Sequence, residues 1–126
     1  MCKILVADDE PDMRSLLSDL LEEAGHDVTE AENGQIAYQQ IQREVPDLVL
    51  MDVLMPMMNG IQVLQRLRNE PSTQSLPVIL LTAFSLADGE SDILETPNTY
   101  HVTKPWRRGV VESAINSALA KSLGTN

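Results

Sequence analysis

The sequence predicts an α/β fold, a five-stranded parallel sheet wound with helices on both faces, and two observations carry that reading. First, short hydrophobic runs alternate with stretches of helical periodicity in five successive units, without an internal repeat or low-complexity segment. Second, four of the runs end on chemically loaded residues. Ile4-Leu5-Val6-Ala7 meets Asp8-Asp9, and Leu48-Val49-Leu50-Met51 meets Asp52. Val78-Ile79-Leu80-Leu81 ends at Thr82, and Tyr100-His101-Val102-Thr103 at Lys104-Pro105. Parallel strands bring all four ends to one carboxyl edge, where open α/β sheets bind ligands.

The elements follow in order. Pro11 suits the first turn of a helix, with Asp9 or Glu10 available as its cap. Met13, Leu16, Leu17, Leu20, Leu21 and Ala24 then recur at helical spacing until Gly25 stops the helix. A short second strand, roughly Asp27 to Glu30, leads to Asn33-Gly34 and a polar helix carrying Ile36, Ala37 and Ile41. Pro46 ends that helix, and the strand running to Asp52 follows. Met55-Pro56 through Asn59-Gly60 reads as a loop; Ile61, Val63, Leu64 and Leu67 mark the next helix, closed by Asn69 to Pro77. Past the strand ending at Thr82, residues 86–96 carry the weakest helical pattern, with Gly89 inside and Asp88, Glu90, Asp92 and Glu95 dominating. After the strand ending at Lys104, Val110, Val111, Ala114, Ile115, Ala118, Leu119 and Leu123 mark a last helix.

A chain of 126 residues is one ordinary domain, and 43% hydrophobic with 22% charged residues is the composition of a soluble globular protein. Nine basic against nineteen acidic residues give a net charge of −10, which repels phosphate backbones and argues against direct nucleic-acid binding. The chain has no apolar stretch of membrane-spanning length and no signal-like N-terminus, so a cytoplasmic location is expected. Cys2 is the single cysteine, which rules out an internal disulfide.

The acids at the strand ends define the chemistry. Three carboxylates within about 5 Å of one another repel by roughly 3 kcal/mol per pair at an effective dielectric near 20. Such a group is tolerable if a carboxyl protonates or a cation enters. All-oxygen ligands suit a hard ion, Mg²⁺ or Mn²⁺, and neither the histidines nor Cys2 show zinc-ligand spacing. A carboxylate beside such a metal can attack phosphorus and form an acyl phosphate. The metal, an ammonium such as that of Lys104 and a hydroxyl such as that of Thr82 can then share the three phosphoryl oxygens.

Ala7-Asp8-Asp9-Glu10, Asp52-x-x-Met55-Pro56-x-Met58-Asn59-Gly60, Leu81-Thr82-Ala83 and Lys104-Pro105 stand in order along the chain. With this set the sequence resembles the receiver domain of two-component response regulators, the chemotaxis-type receiver family, over essentially all of residues 1–126. The resemblance implies the doubly wound, flavodoxin-like (βα)5 receiver fold. It implies that Asp52 accepts a phosphoryl group from a phosphohistidine on a sensor histidine kinase or a histidine phosphotransfer protein. Mg²⁺, with Mn²⁺ as the alternative, would be held directly by Asp9 and Asp52, by Asp8 through water, and by the backbone carbonyl of Leu54. Thr82 and Lys104 would engage the phosphoryl oxygens, and small Ala83 would leave the donor a path. Such a chain catalyses only its own phosphorylation and slow dephosphorylation.

Several positions depart from the family pattern. The switch position three before the lysine, usually aromatic, is His101; it either fills the aromatic slot or, as an imidazole, adds pH sensitivity. The two positions that tune dephosphorylation are Leu54 and Phe84, both apolar and unable to hold an attacking water, which implies a long-lived phosphoryl group. Thr99-Tyr100 replaces the acidic pair used for dimers in winged-helix regulators, so that dimer is not expected. Trp106, Arg107 and Arg108 make an aromatic and basic spot, and a downstream protein partner is expected on the face formed by residues 86–123. The chain ends two residues after Gly124, which favours a stand-alone regulator or phosphorelay shuttle over a piece of a longer regulator or hybrid kinase. A phosphorylation-independent binding module of the same fold stays open as an alternative, although an intact acceptor set argues against it. A haloacid-dehalogenase-type phosphatase needs a second acid two residues after its nucleophile, where Leu54 stands. A flavodoxin-like electron carrier needs a hydroxyl- and glycine-rich loop where Asp8-Asp9-Glu10-Pro11 stands.

Overall fold

Along each central strand, successive side chains point to opposite faces, and here both faces are apolar. The computed structural model describes residues 2–82, 97–103 and 107–122. In these it contains β1 (Lys3–Ala7), α1 (Pro11–Glu23), β2 (Asp27–Ala31), α2 (Gly34–Arg43), β3 (Leu48–Asp52), α3 (Gly60–Arg68), β4 (Val78–Thr82), β5 (Thr99–Thr103) and α4 (Arg108–Ser122). The strands form one parallel sheet in the order β2-β1-β3-β4-β5. The expected 86–96 helix lies outside the described residues, as do Ala83, Phe84, Lys104, Pro105, Trp106 and Leu123. No helix among the described residues is long and apolar enough to cross a membrane.

Strand parity sorts the core into two layers. Leu5, Ala7, Val49, Met51, Val78 and Leu80 pack against Ala37 and Ile41 of α2 and Ile61, Val63, Leu64 and Leu67 of α3. Ile4, Val6, Leu48, Leu50, Ile79, Leu81 and Val102 pack against Leu17, Leu20 and Leu21 of α1 and Val111, Ile115, Ala118 and Leu119 of α4. β1, β3 and β4 are inside the sheet and almost wholly buried, whereas the edge strands β2 and β5 keep several exposed residues.

The helix ends follow from local chemistry. α1 closes in a Schellman motif: the Gly25 amide donates to the Glu22 carbonyl (3.0 Å) and the His26 amide to that of Leu21 (3.1 Å), with Gly25 at φ +94°. Asn33 caps α2 by accepting the Ile36 amide at 2.8 Å. α3 opens with a reciprocal capping box, Asn59 Oδ1 accepting from the Gln62 amide and Gln62 Oε1 from the Asn59 amide. Two expectations for α1 change. Glu10 stands at its N-cap without a side-chain capping bond, and Asp8 Oδ1 accepts the Glu10 amide. Leu16 is 54% exposed, at the margin of the stripe that Leu17, Leu20 and Leu21 bury.

At the opposite end of the sheet from the strand termini that concern function, Arg68 ties α3 to β5. It donates to the carbonyls of Thr73 and Asn98 (3.2 Å each) and to Thr99 Oγ1 (2.9 Å). Burial pulls its pKa down to about 10, which leaves it cationic at neutral pH.

Candidate functional site

The sheet order reverses direction between β1 and β3: the chain moves from β1 outward to β2, then back across to β3. At that switch point the crossover helices leave on opposite faces, and a crevice opens beyond the carboxyl ends of the strands. The β1–β3 register pairs Ala7 with Met51, so the residues one step on are Asp8 and Asp52. Asp9 follows on the loop into α1. Carboxylate oxygens of Asp8, Asp9 and Asp52 all lie within 4.8 Å of one another. Asp8 and Asp52 are buried (0% and 5% exposed), and Asp9 is open to solvent.

Backbone contacts fix each acid. The Asp8 amide extends the β1–β2 ladder by donating to the Ala31 carbonyl (3.1 Å), while its side-chain Oδ1 accepts the Glu10 amide (2.9 Å). The Asp8 carbonyl accepts from Arg14 Nη1 at 2.6 Å, and Arg14 Nε is ion-paired with Glu30 at 3.0 Å. Asp52 Oδ1 accepts the Leu54 amide at 3.2 Å. Beyond it, the Val53 amide donates to the Leu81 carbonyl (3.0 Å) and the Gly60 amide to the Val53 carbonyl (2.9 Å), so β3 stays paired to the edge of the crevice.

Thr82 ends β4, buried at 2% exposure, one residue past the Leu81 that pairs with Asp52. His101 is exposed on β5 and pairs with Leu80, two residues before the Thr103 that pairs with Thr82. Tyr100, its neighbour, turns to the other face and packs with the α1/α4 layer. Leu54 is 59% exposed on the loop after Asp52. Lys104 and Phe84 lie outside the described residues. Of the expected basic spot, Arg108 is engaged within the chain: it bonds Glu23 of α1 at 2.9 Å and Glu112 at 3.3 Å.

Three carboxylates this close are mutually repulsive, and their oxygens suit a hard divalent cation; the cluster is compatible with Mg²⁺ or Mn²⁺. Two buried carboxylates, a buried hydroxyl at the adjacent strand end and an acidic cluster compatible with a divalent cation make an arrangement suited to accepting a phosphoryl group. The sequence profile described as the response regulator receiver domain matches residues 4–116. The chain belongs to that family. As a receiver it carries no catalytic activity beyond its own phosphorylation and dephosphorylation.

Among relatives of this receiver, an uncharacterized 14.6 kDa protein of Leptolyngbya boryana is 40% identical over 102 residues, 81% of this chain and 78% of that protein. Protein PilH of Pseudomonas aeruginosa is 36% identical over 95% of this chain and 99% of its own length. The receiver spans about half the length of longer relatives, 52% in the case of the phosphate regulon transcriptional regulatory protein PhoB of Pseudomonas aeruginosa. The signal receiver domain of a signal transduction histidine kinase from Syntrophus aciditrophicus superposes with a TM-score of 0.86 at 32% identity, covering 96% of this chain and 92% of that one.

Two contributors to this receiver's site escape sequence reading. Arg14 stands inside the first helix, and a cation six residues after Asp8 is the only hint that it reaches back to the Asp8 carbonyl. Gly34 reads as no more than the approach to the second helix, yet it borders the loop that follows Asp52.

Proposed function

We propose that this receiver takes a phosphoryl group from a phosphohistidine onto Asp52, with Mg²⁺ held by Asp9, Asp52, Asp8 through water, and the Leu54 carbonyl. The observation that carries the reading is the convergence of three acids within 4.8 Å at the β1–β3 switch point of a receiver fold. Bound Mg²⁺ would neutralise charge on the incoming phosphoryl oxygens. The Leu54 amide on Oδ1 fixes the plane of the Asp52 carboxylate. A carboxylate oxygen forms the new bond to phosphorus while the phosphorus–nitrogen bond breaks, and the donor imidazole keeps that electron pair. Thr82 donates its hydroxyl to one phosphoryl oxygen and Lys104 pairs with another. The inward movement of Thr82 shifts the population of His101 conformers on β5, which a partner reads on the 86–123 face.

The donor is a sensor histidine kinase or histidine phosphotransfer protein, and the setting is cytoplasmic. The near-complete coverage of PilH favours a single-domain regulator, while the half coverage of PhoB favours a receiver within a longer one. Leu54 and Phe84 shield the acyl phosphate from water. Leu54→Asn is therefore expected to speed phosphoryl loss roughly tenfold, read as decay of the phosphorylated mass after donor removal. An unchanged decay rate would remove the shielding role.

The direct test is intact mass after incubation with Mg²⁺ and acetyl phosphate, beside a metal-free control. One phosphoryl mass gained only with metal is the expected result. A folded, Mg²⁺-binding chain that gains nothing from acetyl phosphate or from phosphohistidine proteins would overturn the acceptor reading.

A further inference from the structure

The loop from Val53 to Asn59, between β3 and α3, contains a backbone feature that its own residues do not explain. The Met58 amide donates to the Pro56 carbonyl at 2.8 Å, with Met57 between them at φ +73°. That is the γ-turn of positive φ, a rare and strained conformation for a residue bearing a Cβ. The Met57 side chain is 75% exposed and does little to hold the turn. The support is behind it. Gly34, the buried first residue of α2, faces Met58 so closely that a Cβ built on it would lie inside the Met58 carbonyl oxygen and 2.6 Å from the carbonyl carbon.

α2 is not free to tilt away. Ala37 and Ile41 are fully buried beneath it, and the Tyr38 hydroxyl donates to Glu70, just past α3. Gln42 donates to the same Glu70 at 2.7 Å, and Arg66 of α3 stacks 5.5 Å from the Tyr38 ring centroid. The far end of the loop is equally tied, by the Gly60 amide on the Val53 carbonyl and by the capping box of Asn59 and Gln62.

We propose that Gly34 is a positioning residue for the acceptor: its bare Cα is the seat for the Met58 carbonyl, which holds Met57 in its strained turn and keeps Leu54 and Asp52 in register with Asp8 and Asp9. The inference rests on the acceptor reading above. A methyl group on that seat displaces Met58 and the loop with it, so the metal cluster loosens although the core is intact. Glycine at position 57 releases the turn and lets the loop accommodate the methyl.

The test compares the parent with Gly34→Ala, Met57→Gly, the double variant and Ile41→Val. The last removes a buried methylene from the same helix, away from the loop. Mg²⁺ affinity is read by isothermal titration calorimetry and phosphoryl uptake from acetyl phosphate by intact mass. Gly34→Ala is expected to bind Mg²⁺ about tenfold or more weakly and to take up phosphoryl more slowly. Ile41→Val keeps the parental affinity, and adding Met57→Gly to Gly34→Ala recovers much of the loss. Parental affinity in Gly34→Ala, an equal loss in Ile41→Val, or no recovery in the double variant overturns the inference. If Gly34→Ala does not fold, a folded, Mg²⁺-binding double variant supports it, and a double variant that also fails to fold overturns it. A parent that takes neither metal nor phosphoryl overturns the acceptor reading and this inference with it.

Discussion

Phosphoryl uptake by the Asp9→Asn chain is expected to recover at high Mg²⁺, whereas no concentration of metal restores it to Asp52→Asn. The two acids share one cluster, but their surroundings differ. Asp9 is exposed, and its contribution is a negative charge within 4.8 Å of Asp8 and Asp52. Removing that charge lowers Mg²⁺ affinity by about 10- to 100-fold, a deficit that mass action overcomes. Asp52 sits buried with Oδ1 aligned by the Leu54 amide. Its amide counterpart keeps that hydrogen bond but offers phosphorus no anionic nucleophile, so uptake falls by more than about a thousandfold at any metal level. A Mg²⁺ titration of uptake, followed by intact mass, separates the two. Uptake in Asp52→Asn, or an Asp9→Asn chain that stays inert at saturating metal, would reassign the acceptor.

The same Asp9→Asn substitution has an opposite effect on stability. Without metal it removes two like-charge neighbours, worth about 1 kcal/mol each at 4–5 Å in the high dielectric of an exposed group. The metal-free variant should therefore melt several degrees above the parent, and Mg²⁺ should raise the parent's Tm by more than the variant's. A variant less stable than the parent would mean that Asp9 holds structure rather than metal.

Burial and strand ends set the part of this protein that is legible in its sequence. β1, β3 and β4 stand out because strands covered on both faces are almost wholly apolar, and each of their bounds falls within one residue of the apolar run. Asp8, Asp9 and Asp52 converge because adjacent parallel strands in register must bring their ends together. The edge strands are less legible: β2 buries one of its five residues, so Asp27–Ala31 carries little apolar signal and it runs one residue past the expected Glu30. Leu16 shows the limit of periodicity, since residues at the margin of a helical stripe do not declare whether a partner covers them. Arg14 and Gly34 lie further out of reach. Their roles depend on which carbonyl a folded neighbour presents, the Asp8 carbonyl for one and that of Met58 for the other, and backbone atoms leave no mark in sequence.

Gly60→Ala and Gly109→Ala make the same chemical change and are expected to act with opposite sign. Gly109 lies in the first turn of α4, and a Cβ there meets nothing within 4 Å. Alanine at that position gains roughly 0.5 kcal/mol by restricting the unfolded chain and favouring the helix. Gly60 opens α3 against the end of β3, where a Cβ would come 2.5 Å from the Asp52 carbonyl oxygen and 3.0 Å from Val53 Cα. Both are backbone atoms at the end of β3, where Asp52 pairs with Leu81 of β4 and the Val53 amide donates to the Leu81 carbonyl, so neither can retreat without straining that pairing. Overpacking of that kind costs about 1–3 kcal/mol or more. The displaced atoms belong to Asp52 itself, so Mg²⁺ affinity should fall together with stability. Urea unfolding should show a lower midpoint for Gly60→Ala and a higher one for Gly109→Ala, with slopes unchanged. Parental stability and metal affinity in Gly60→Ala would mean that the end of β3 yields, and that the acceptor does not depend on the close approach of α3.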